Sequence, residues 1–125
     1  MITPRQVLDA AISEAEFMKV ILQYAKIKGW RAAHFRPGMT SRTRTNERGE
    51  TKPVWVTPLQ GEAKGWPDLF LAHEEKRRVL AMEVKAEGGK ATEEQIEWLG
   101  TLNACGIPAY VVYPSSWERI EGWLE

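Results

Sequence analysis

Two apolar segments separated by a charged stretch constrain the fold of this chain most strongly. Residues 65–71 and 79–85 are rich in apolar side chains, and residues 73–78 between them are all polar or charged. Apolar segments of this length on either side of a polar turn predict two antiparallel strands that form a hairpin. The elements expected before and after the hairpin alternate between helix and strand, which predicts an α/β fold.

Three charged residues interrupt these apolar segments: Asp68, Glu83 and Lys85. Glu83 and Lys85 are two positions apart, so they share one face of their strand, and Val84 points to the other face. Asp68 opens the preceding strand and is placed to lie beside Glu83 across the pair. Two adjacent carboxylates repel unless a cation lies between them, and oxygen ligands suit a hard cation such as Mg²⁺. A neighbouring ammonium can then hold a water and help to deprotonate it.

The order of these residues resembles a nuclease signature. Pro67-Asp68 followed by Glu83-Val84-Lys85 resembles the PD-(D/E)xK motif. The longer set, with Gly65-Trp66 before it and residues 92–99 after it, resembles the VRR-NUC branch in its small stand-alone form from phages and bacteria. The resemblance covers roughly residues 13–124. It implies a restriction-endonuclease-like core, in which a mixed β-sheet is flanked by helices.

The resemblance also implies an activity, which is metal-dependent hydrolysis of DNA by an endonuclease that uses Mg²⁺ or Mn²⁺. Branched or junction DNA is the expected substrate, as for a Holliday-junction resolvase. Asp68, Glu83 and the backbone carbonyl of Val84 are then expected to bind the metal ion, and Lys85 to orient the nucleophile. Gln95 is expected to contact the water or the scissile phosphate. Its alternative role is structural, because Thr92-x-x-Gln95 is also a capping box at a helix start.

A helix-borne glutamate completes the metal site in this family. Glu14 is the better match, since it stands three positions before Phe17, and Glu16 is the alternative. The simpler interpretation of both acids is that they complement the dipole at the start of a helix.

Residues 36–64 form a polar segment without clear periodicity, in which six cations outnumber three anions. Its glycines and prolines discourage regular structure, so a long loop is predicted, with a short strand at residues 54–56. One interpretation is a basic arm that grips phosphates, and the other is a solvated loop. The resemblance adds that His34 and Arg36 border the site, although a lone strand histidine is more often structural. The residues expected to contact DNA are His34, Arg36, Arg42, Arg44, Arg48 and Lys64.

Composition sets the remaining limits. The chain has 125 residues, which we interpret as one domain over 1–125, and its 17 basic and 17 acidic residues give no overall charge that would attract nucleic acid. The single cysteine, Cys105, excludes an internal disulfide and a cysteine zinc cluster, and we expect a packed thiol. No membrane-spanning run and no signal peptide is evident. A cytoplasmic protein of a bacterium or a phage-infected cell is therefore expected.

Helical spacing and end signals predict the remaining elements. The histidine at the hairpin turn, His73, is expected to be exposed, and the last helix is expected to cover the sheet. The predicted helices are a lead-in helix over 4–11, a second ending at Gly29 after a cap at Ser13, a third over 92–103, and a last one from Ser115 or Ser116 to Leu124; the predicted outer strands are 30–35 and 108–113.

Symmetric cutting of two DNA strands requires two active sites, so a homodimer through the last helix or the long loop is predicted. Two alternatives to an enzyme remain at this point. One is a DNA-binding module that keeps the nuclease fold without catalysis. The other is a purely structural hairpin in which Lys85 forms a salt bridge with Glu83 or Asp68.

Overall fold

A computed structural model describes residues 11–35, 40–45, 47–56 and 63–125, with the backbone alone for 40–45 and 52–56. The predicted lead-in helix lies almost wholly outside these residues. No helix in the described stretches has the length and apolar character that a membrane span needs. The elements, in chain order, are α1 (Glu14–Ile27), β1 (Arg31–His34), β2 (Thr40–Thr45), β3 (Thr51–Val56), β4 (Leu69–His73), β5 (Arg78–Val84), α2 (Glu93–Ala104), β6 (Ala109–Val112), a 3₁₀ turn (Pro114–Ser116) and α3 (Trp117–Leu124).

The main sheet is mixed and has the strand order β1-β4-β5-β6. Strands β1, β4 and β5 pair antiparallel, and β5 pairs parallel with β6. A parallel neighbour needs a long crossover, and α2 provides it between β5 and β6. The expected α/β fold, a mixed sheet flanked by helices, is confirmed.

The two faces of the sheet carry separate apolar clusters. One face presents Leu80, Met82 and Val84 of β5 to the helices α1 and α3. The other face presents Ala81 of β5 to α2, where it packs with Leu99. Successive strand residues alternate between faces, so the even positions of β5 face α1 and α3, and the odd positions, which include Glu83, face α2.

The ends of the first and last helices agree with the sequence signals. The Ser13 hydroxyl accepts a hydrogen bond from the Glu16 N–H at 3.1 Å, which caps α1. Gly29, with φ of 87°, follows the end of that helix and adopts the left-handed conformation that glycine tolerates best. In α3, Trp117, Ile120 and Leu124 are buried, so the prediction that this helix covers the sheet is confirmed.

The segment predicted as a long loop contains a β-hairpin. Strands β2 and β3 pair antiparallel as a separate two-stranded sheet, from Thr40 opposite Val56 to Thr45 opposite Thr51. The prediction was wrong here because it relied on apolar periodicity, whereas β2 reads Thr-Ser-Arg-Thr-Arg-Thr. Threonine favours extended backbone through its branched side chain without adding an apolar signal.

Two predictions about single side chains were wrong. His73 is buried rather than exposed: its Nδ1 accepts from the Lys76 N–H at 3.2 Å, so its Nε2 donates to the Lys28 carbonyl at 3.1 Å. The ring also packs edge-on against Trp30. Cys105 is exposed rather than packed, because it caps the end of α2 and lies beyond the last residue that the helix directs at the sheet.

Candidate active site

The paired strands β4 and β5 place the two predicted acids side by side. Leu69 lies opposite Met82 and Phe70 opposite Ala81, and one more step of this register sets Asp68 opposite Glu83. Directly opposed residues share a face, so both carboxylates lie on the face covered by α2. Lys85, two positions beyond Glu83, extends from the same face. The three charges therefore lie on one side of the sheet, as the sequence predicts.

The backbone of β5 fixes the orientation of Asp68. The carboxylate Oδ2 accepts a hydrogen bond from the Val84 N–H at 3.0 Å. The carbonyl of a strand residue points to the same side as its N–H, so the Val84 carbonyl faces Pro67, the residue opposite it in the register. Proline has no N–H to donate, so this carbonyl lacks its ladder bond and remains available as an oxygen ligand.

Glu83 is buried, with 1% of its surface exposed, and its two carboxylate oxygens differ. Oε2 accepts from the Gln95 side-chain amide at 3.0 Å and lies 3.5 Å from the Lys85 ammonium. Oε1 receives no hydrogen bond from any of the described residues. A buried oxygen without a donor is costly, and a cation between the two acids would remove that cost. The donor set of Asp68, Glu83 and the Val84 carbonyl therefore fits a hard divalent ion.

The protonation of Glu83 reflects the same environment. Burial, a hydrogen bond with Asp68 and the negative charge of Asp68 raise the pKa of Glu83 from 4.5 to about 8, against the opposing effect of Lys85. In the absence of a cation, Glu83 is thus expected to keep its proton at neutral pH.

We expect this pKa shift to appear as a pH dependence of stability in metal-free protein. The unfolded chain releases the Glu83 proton near 4.5 and the folded protein near 8, so the free energy of unfolding falls as pH rises through that window. Glu83→Gln removes the titration and should stabilise the protein by roughly 1–3 kcal/mol at about pH 8. Urea unfolding in EDTA at about pH 5 and about pH 8 measures the difference.

The matched control is Glu97→Gln, on the exposed side of α2. This variant should keep the wild-type loss of stability between the two pH values. If the free energy of unfolding of Glu83→Gln fell as steeply with pH as that of the wild type, the buried carboxyl would not be the cause of the pH dependence.

Gln95 forms the capping box that was its structural alternative, and it also reaches the buried acid, whereas its expected contact with the water or the scissile phosphate stays a prediction. Its Oε1 accepts from the Thr92 N–H at 2.8 Å, and the Thr92 hydroxyl accepts from the Gln95 N–H at 3.2 Å, which completes a capping box. Its Nε2 donates to Glu83 at the same time. The two ends of one amide thus join the start of α2 to the buried acid.

Gly65 allows α2 to approach the hairpin this closely. Its φ is 88°, and a Cβ built there would lie 2.5 Å from the Glu94 carbonyl carbon and 2.8 Å from the Gln95 nitrogen. The residue before it, Lys64, has an exposed side chain that pairs with Glu94 at 3.3 Å. The turn that leads into Asp68 therefore also positions Gln95.

Glu14 does not join these acids in the structure. It is exposed at the start of α1, whose buried residues pack on the opposite face of the sheet from Glu83. No group of three or more His, Cys, Asp or Glu side chains suited to a metal ion occurs among the described residues. Metal binding by Glu14, or by its alternative Glu16, therefore stays a prediction.

The residues predicted to contact DNA are distributed unevenly. His34 is exposed and lies opposite Leu69, so it shares the face that is remote from Glu83. Arg48 is exposed in the turn between β2 and β3. Arg42 and Arg44 lie on strand β2, for which only the backbone is described, and Arg36 lies outside the described residues. Lys64 pairs with Glu94 at the start of α2, the helix that carries Gln95.

Two features of the site were missed at the level of sequence. One is the pairing of Pro67 with Val84, which could have been found by counting back across the hairpin turn. The other is Phe35, which follows β1 and donates its N–H to the Asp68 carbonyl at 2.7 Å. Its alternation with His34 on the first strand was the available signal.

A mixed sheet with two acids and a lysine on one face, and a glutamine reaching them from the next helix, is the arrangement of a nuclease-type domain. The family model for the VRR-NUC domain matches residues 38–116, which is more than half of the chain. The chain therefore belongs to the VRR-NUC family. No curated protein and no solved structure matches it significantly. The matched span includes the hairpin and Gln95 but not α1, which carries Glu14.

Proposed function

We propose that this protein is a DNA endonuclease that hydrolyses phosphodiester bonds with Mg²⁺ or Mn²⁺, on branched or junction DNA. The observation that carries the proposal is the buried Glu83 carboxylate beside Asp68, with one oxygen held by Gln95 and Lys85 and the other without a donor among the described residues. A structural ion pair does not require this excess of negative charge in a buried site. Membership of a nuclease-type family supports the same conclusion.

Asp68, Glu83 and the Val84 carbonyl would hold the divalent ion, which would polarise the phosphoryl oxygen and favour ionisation of a water. Lys85 would orient the attacking water with its ammonium and offset the negative charge that develops on the phosphate. Gln95 would fix the orientation of the Glu83 carboxylate by its hydrogen bond to Oε2. Gly65 and Pro67 would set the backbone on which these side chains depend.

The decisive experiment is cleavage of a DNA panel by purified protein. Linear, flapped and four-way DNAs are incubated with Mg²⁺, with Mn²⁺ or with EDTA, and the cuts are mapped. We expect metal-dependent cuts close to branch points. Binding without cleavage in any metal would instead support the alternative function, a DNA-binding module that retains the nuclease fold.

We predict that the two roles of Gln95 can be separated by substitution. Gln95→Glu keeps the oxygen that caps α2 but replaces the donor to Glu83 with a negative charge, so cleavage should fall about 10- to 100-fold. Thr92→Ala removes the cap and leaves that donor, so it should cost about 1 kcal/mol of stability with little loss of cleavage. Rates and urea unfolding are measured for both. Similar rates in the two variants would refute this separation.

Symmetric cutting of a junction would require a homodimer. Trp117, Ile120 and Leu124 of α3 are buried within the chain and Trp123 is half-buried, so we favour the segment over residues 36–64 as the interface and keep α3 as the alternative. Light scattering should therefore give twice the chain mass of 14.2 kDa. A monomer at the concentrations used for cleavage would count against paired cutting, although not against hydrolysis itself.

A further inference from the structure

An exposed aromatic ring lies beside the candidate active site. Four large apolar side chains in the described part of the chain are exposed, and Phe35 is the aromatic one among them, at 44%. It directly follows β1, which forms one edge of the main sheet and whose four residues are all exposed. Solvent therefore reaches this ring from the side of the sheet edge.

Phe35 lies in line with the two acids. His34 pairs with Leu69, and the bond from the Phe35 N–H to the Asp68 carbonyl continues this register by one residue. Since directly opposed residues share a face, Phe35, Asp68 and Glu83 form one row across three strands. Neighbouring strands are about 4.8 Å apart, so the row from Phe35 to Glu83 spans roughly 10 Å. This is comparable with the reach from a phosphate to an adjacent nucleobase.

Aromatic neighbours hold the ring in place. Phe35 packs edge-on against Trp66, with ring centroids 6.1 Å apart. Trp66 in turn stacks on Phe70 and meets Trp98 edge-on, so it is fixed from two sides. Because Trp66 restrains the Phe35 ring and solvent can still reach it, the ring should lose little conformational entropy when a nucleobase or another planar group stacks on it.

We propose that Phe35 stacks on an unpaired nucleobase next to the scissile phosphate. The inference rests on the proposed function and adds a reason for preferring branched DNA. Within a duplex both faces of a base are covered by its neighbours, so a protein ring can stack only on a base that is unpaired or unstacked. Branch points and flaps supply such bases.

A cycle that combines a protein substitution with a missing base tests this contact. Phe35→Leu keeps an apolar side chain but removes the aromatic face, and Phe35→Trp keeps that face. Each is combined with Lys85→Met, so that the DNA stays intact in Mg²⁺. Binding to fluorescently labelled flapped DNA is measured by anisotropy, with a single abasic site moved along the unpaired strand.

We expect one abasic position to weaken binding about tenfold when residue 35 is Phe or Trp, and to have no effect when it is Leu. Ile27→Ala, which trims an exposed apolar residue at the end of α1, should behave as wild type. Equal losses with Phe and Leu at every abasic position would overturn the inference. A protein that shows this coupling but cuts no DNA with Lys85 intact would refute the proposed function and leave the stacking contact standing.

Discussion

Replacing Lys85 by Met is expected to lower the rate of DNA cleavage about 1,000-fold or more while the protein stays folded. Methionine keeps the unbranched stem of lysine in a side chain that is only 15% exposed, and removes the ammonium 3.5 Å from Glu83. Proton transfer by a positioned group contributes about 100- to 10,000-fold, and charge stabilisation by one positioned donor about 100- to 1,000-fold. Single-turnover cleavage of the best DNA in the panel measures the loss, and circular dichroism checks the fold.

Lys90→Met is the matched control, since Lys90 is exposed in the loop that leads to α2. Loss of one exposed cation should weaken DNA binding only slightly and at low salt. If Lys85→Met retained near-wild-type cleavage, the lysine would be a structural partner of Glu83, and the structural interpretation of the hairpin would regain support.

Gly65→Ala is expected to have the second large effect, and it acts through the backbone. The added methyl group would lie 2.5 Å from the Glu94 backbone at a φ of 88°, so α2 must move away from the hairpin. Strain of this kind costs about 2–4 kcal/mol. Cleavage should fall by about tenfold or more even in the folded fraction, because the shift carries Gln95 away from Glu83.

Gly88→Ala is the control that has the strain of a positive φ but not the steric clash expected in Gly65→Ala. Gly88 has a similar φ of 81°, but a Cβ there meets no atom within 4 Å. It should therefore lose only about 1 kcal/mol and keep its activity. Urea unfolding and cleavage rates of the two variants are compared, and equal losses in both would show that close packing against α2 is not the cause.

The sequence predicted the site better than it predicted the segment before it. Asp68, Glu83 and Lys85 are charges inside apolar strands, and period-2 alternation placed them on one face without knowledge of the rest of the chain. Strand β2 was missed because its polar, threonine-rich pattern carries no apolar periodicity, and only the apolar end of β3, residues 54–56, was predicted. Sequence-based prediction thus worked best where charged residues stand out within an apolar segment, and worst where the whole segment is polar.

Long-range contacts account for most of the remainder. Nothing local in Gly65 specifies that its partner is the backbone of Glu94. The local pattern Thr92-x-x-Gln95 predicts the cap, but it does not specify that the Gln95 amide also reaches Glu83. The predicted exposure of His73 was wrong for the same reason, since its burial depends on Trp30 and Lys28 from another part of the chain. These contacts exist only once the helices are docked on the sheet.

The alternation of β5 between the two faces has a consequence for mutational scanning. Met82 and Val84 belong to the cluster beneath α1 and α3, whereas Glu83 and Lys85 serve the opposite side. In a library that substitutes these four positions, we expect the phenotype to alternate along the strand. Variants at positions 82 and 84 should express poorly, and variants at positions 83 and 85 should express well but lack cleavage activity. Under the proposed function, a variant that binds branched DNA without cutting it would be sought at positions 83 and 85, outside the apolar cluster beneath α1 and α3.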